Sequence, residues 1–83
     1  MTKKEKDIAL FVAFCIEEYA ADRGMQSQDV YEMFAKYNAI HYLSECYEPL
    51  HSQGRLWILD DIDHFIDNKE KEKVWNYTTE VWR

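Results

Sequence analysis

The stretch CYEPLHSQG, residues 46–54, gathers a cysteine, a histidine, a proline and a glycine, and is where this chain could most readily do chemistry. A Cys46/His51 pair would work as thiol nucleophile and general base only if the imidazole reached the thiol and a third group oriented the ring. The i, i+5 spacing is awkward for that, because neighbours on a helix surface lie about three or four positions apart. No orienting third member stands nearby in the sequence, so the plainer reading is a packed thiol and a histidine bonded to local carbonyls. Tyr47 and His51 are therefore kept as motif residues whose role the sequence leaves open, and no catalytic residue is assigned.

Metal chemistry would have to recruit His41, Cys46, His51, His64 and the aspartates at 60, 61, 63 and 67. None of these has zinc-finger spacing, and the acidic group lacks the glycine and closing glutamate of a calcium loop. Asp60, His64 and Asp67 fall at i, i+4 and i+7, which is also the pattern of a solvated acidic helix face. No metal and no other cofactor is predicted.

The elements that must position these residues read as helices. Thr2 and Glu5 match a capping box, Ile8, Phe11, Val12, Cys15, Ile16 and Tyr19 recur on one helical face, and Gly24 offers a left-handed stop, predicting a helix over 3–23. Leu10, Ala13 and Phe14 widen that face, so neighbours are expected to cover it on more than one flank. Ser27 is the expected N-cap of a second helix ending near Tyr37, with Val30, Met33, Phe34 and Tyr37 inward. Asn38 is expected to end it and cap a third carrying Ile40, Leu43 and Tyr47 inward.

Pro49 cannot donate an amide hydrogen bond and its ring clashes with the carbonyl four residues earlier, so the third helix must kink or restart there, with residue 48 extended and a short helix following. Arg55–Leu59 is bulky and β-prone and reads as a short extended piece. It feeds a last helix capped by Asp60 or Asp61 and facing inward through Ile62, Phe65 and Ile66. NKEKEK, 68–73, is a solvated charged stretch, and the tail from Val74 is left open between helix and strand. The fold class is mainly α: a small four-helix orthogonal bundle, a short extended segment near 55–59 and an undecided tail, in one domain over 1–83 with its core at about 3–67.

Composition narrows the function classes. The 83 residues are 47% apolar with a formal net charge of −6, and include six tyrosines, four phenylalanines and three tryptophans. A chain this small buries only about 60–65% of the surface it exposes when unfolded, so its core must be rich. The negative field repels phosphate backbones and anionic headgroups, which argues against nucleic acid and membrane surfaces as partners. Lys3, Lys4 and Lys6 ahead of IALFVAFCI imitate a signal peptide, but Glu5 and Asp7 dilute the basic start, and the apolar run ends at Glu17, far short of the ~20 residues of a membrane span. Two unpaired-looking cysteines fit a cytoplasmic chain. The tyrosines and tryptophans exceed what one small core buries; Trp57, Trp75 and Trp82, with Asp61, Asp63 and Asp67, are the expected partner-binding residues, for a protein partner or for self-association as a homodimer.

FVAFCIEEYA (11–20), SQDVYEMFAKY (27–37), YEPLHSQG (47–54) and WILDDIDHFI (57–66) together resemble an uncharacterised bacterial family of short helical proteins known only as a domain of unknown function. The resemblance spans roughly residues 5 to 67 and leaves the tail as an extension. It implies a cytosolic protein, commonly from gut-type anaerobes, with no established activity. Such genes often sit beside another uncharacterised family that looks like ADP-ribosyltransferases, which implies an accessory or antitoxin-like binding role. The expected function is a non-enzymatic protein-binding accessory protein; the alternative is a small enzyme or metal site at the YEPLHSQG bend using His51 with Cys46.

Overall fold

The computed structural model describes the backbone of residues 1–82 and the side chains of residues 1–71. Five helices follow one another, α1 Lys3–Arg23, α2 Ser27–Lys36, α3 Ala39–Glu45, α4 Tyr47–Leu50 and α5 Arg55–Trp82, and the described residues contain no strand.

The ends of α1 are fixed by local chemistry. The Glu5 amide donates to Thr2 Oγ1 at 3.1 Å and the Thr2 amide to Glu5 Oε1 at 3.2 Å, closing a capping box. Gly24 stops the helix at φ 64°, a left-handed conformation that costs a side-chain-bearing residue strain. Asn38 takes the same region at φ 63° and breaks α2 from α3, although its side chain makes no capping bond. The expected N-cap Ser27 is instead the first residue of α2, after Gln26, and its hydroxyl donates to Glu17 of α1. A long-range acceptor has replaced the local amide.

At Cys46, φ −101° and ψ 18° interrupt the helix, and α4 restarts at Tyr47. Pro49 sits in the first turn of α4, where an amide hydrogen has no intrahelical partner, so its ring costs little. Glu48 is accordingly helical rather than extended. A second difference is larger: residues 55–59 are the first turn of α5, not an extended piece, and Asp60 and Asp61 lie inside that helix rather than at its cap. Ile58, Leu59, Ile62 and Ile66 share one face and are all buried, so packing outweighs the β preference of their side chains. NKEKEK continues the same helix, which runs on to Trp82 through the described part of the segment left open between helix and strand.

The core forms where α1 is covered by α2, α3 and α5, and α4 packs on α3. Phe11, Cys15 and Tyr19 from α1 meet Val30 and Phe34 from α2, Leu43 from α3 and the buried isoleucines of α5. Edge-on aromatic contacts tie it together, Tyr19 to Phe34 at 5.3 Å and Phe11 to Tyr47 at 5.5 Å between ring centroids. Among the described residues no helix is long and apolar enough to cross a membrane.

Candidate functional site: a cleft between α1, α4 and α5

The YEPLHSQG bend lines a cleft of about 340 Å³. Phe11, Phe14, Tyr47 and Ile58 form its apolar floor; Asp7, His51, Gln53 and Arg55 stand at its rim, with Leu10 beside Phe14 on α1. Two local devices hold the bend. His51 follows the single turn of α4, and its Nδ1 lies 2.8 Å from the Tyr47 carbonyl and 3.0 Å from that of Glu48. Carbonyls only accept, so Nδ1 carries the hydrogen and donates it, which caps α4 and leaves Nε2 as the ring's remaining nitrogen. The imidazole also stacks on the Tyr47 ring, with centroids 4.3 Å apart and planes 11° apart. Tyr47 and His51 thus act on each other and on α4, in the arrangement of a helix terminus.

Cys46 is half-buried at the α3–α4 junction, and Cys15 is fully buried beneath α1; both are free thiols. Burial pushes the Cys15 thiol up to about 12, because a thiolate there would lose its hydration. Cys15 is therefore expected to resist thiol reagents at neutral pH until the chain unfolds, a result that mass spectrometry of labelled protein with and without denaturant would check. Rapid native labelling of Cys15 would contradict its place in the core.

The aspartates expected to face a partner are distributed differently. Asp61 accepts a hydrogen bond from the Tyr42 hydroxyl at 2.5 Å, and Tyr42 stacks on Phe65 at 4.2 Å. Burial, and then that bond, push the Tyr42 phenol well above its ordinary range. Asp63 accepts from the Tyr19 hydroxyl at 3.0 Å through one oxygen and pairs with the Arg23 guanidinium through the other. The Tyr19 phenol is raised to about 12, chiefly by burial and secondly by the Asp63 bond. Arg23 is raised by its own hydrogen bond to the other Asp63 oxygen. Both carboxylates are thus turned to α3 and α1, fastening α5 to the bundle. Asp67 pairs with Lys71 along α5 at 3.1 Å.

Trp57 is exposed, while the side chains of Trp75 and Trp82 lie outside the described residues. His41 and His64 face Glu45 and Asp60 one turn away, at 3.6 and 3.5 Å. Among the described residues no three His, Cys, Asp or Glu side chains converge as a metal centre needs.

Leu10 and Phe14, expected to lie under neighbouring helices, are left 64% and 43% exposed, and Leu56 and Trp57 in the first turn of α5 are 71% and 52% exposed. The helices that bury Phe11 and Cys15 leave Leu10 and Phe14 uncovered. Sequence reading also missed Arg55, which donates to Glu18 and lies 3.9 Å from Asp22, fixing the start of α5 against α1. No residue spacing signals a pair so far apart in the chain. An apolar floor with a mixed polar rim can receive an apolar side chain and bond the groups around it; its imidazole is committed to carbonyls rather than to a nucleophile.

No curated protein and no solved structure matches the chain. Residues 10–69 match the model of the family described as protein of unknown function, DUF3791, and the chain belongs to that family.

Proposed function

We propose that this chain is a non-enzymatic accessory protein of the cytoplasm that acts by binding another protein, in the manner of an antitoxin or regulator held on a neighbouring gene's product. The observation that supports this reading most is the outward placement of Leu10, Phe14, Leu56 and Trp57. Leu10 and Phe14 line the cleft while Leu56 and Trp57 stand exposed on α5, and large apolar side chains left open to solvent mark an interaction surface more often than a catalytic one. The bond pattern of His51 points the same way, since the one imidazole at the cleft serves α4.

Co-purification from the native host tests the proposal. One defined protein is expected in stoichiometric amount, and the complex should re-form from the two purified components. A chain that elutes alone at monomer mass under every host condition would contradict it.

A further inference from the structure

We draw no further inference here: the strongest candidate, the exposed Leu10–Phe14 face of α1 beside the cleft between α1, α4 and α5, carries nothing beyond the protein-binding reading, because nothing in the structure shows what covers it.

Discussion

Phe34→Ala is expected to remove about 3–5 kcal/mol of stability, the usual cost of deleting a fully buried aromatic ring. Phe34 is completely inaccessible at the meeting of α1 and α2, edge-on to Tyr19. A chain of 83 residues has a total stability of roughly 4–12 kcal/mol, so the loss takes a large share of it. Urea unfolding followed by circular dichroism should show a midpoint far below the parent's, or a variant already partly unfolded without denaturant. A loss under about 1 kcal/mol would mean that α2 does not pack on α1 through this ring.

Asp63→Ala is expected to cost about 1–3 kcal/mol, because it leaves the Tyr19 hydroxyl and the Arg23 guanidinium without their shared acceptor. Asp67→Ala, which removes an exposed pair along α5, should change stability by less than about 0.5 kcal/mol. The contrast separates a carboxylate that fastens the bundle from one on its surface. Tyrosinate absorbance adds a second readout. In the parent, the Tyr19 phenol is pushed up to about 12 from its ordinary 10.0, first by burial and then by Asp63. Removing the carboxylate should lower that titration, though not to 10.0, since burial remains. Linkage gives the sign of the pH dependence: a phenol whose folded value is raised contributes stability that is complete below its unfolded value and is lost as pH rises through the folded one. The Tyr19 contribution therefore disappears between pH 10.0 and about 12. That of Cys15 goes between 9.0 and about 12, so both contributions are lost on the alkaline side.

Much of the fold was legible wherever the deciding chemistry is local. Thr2, Glu5 and Gly24 bound α1 because a cap needs only residues within a turn of it. Asn38 marks the α2–α3 break through its own tolerance of a left-handed backbone. Pro49 marks the α3–α4 break, although it was the amide it lacks, rather than an extended residue before it, that the chain accommodated. The misreadings come where a distant partner decides. Arg55–Leu59 looks β-prone alone, yet Ile58 and Leu59 belong with Ile62 and Ile66, and burying that face against α1 and α3 sets the helix. Ser27 serves Glu17 rather than its own helix.

The site divides in the same way. Tyr47 and His51 stood out by composition, and the plainer reading of His51, a nitrogen on nearby carbonyls, is the bond the structure shows, while its stacking on the Tyr47 ring was not legible in the sequence. Asp61 and Asp63 looked outward in sequence because nothing near them hints at Tyr42 and Tyr19, which approach from α3 and α1. Leu10 and Phe14 looked inward for the complementary reason, since their periodicity shows an apolar flank but not which flank the other helices leave bare.

The most direct measurement is amide hydrogen exchange on the chain alone and on its complex with the host protein that co-purifies with it. The account predicts new protection over residues 7–18 and 51–58, around the Leu10–Phe14 pair and the cleft, with exchange at 60–67 unchanged. Protection confined to 60–67, with α1 and the bend exchanging as in the free chain, would contradict it.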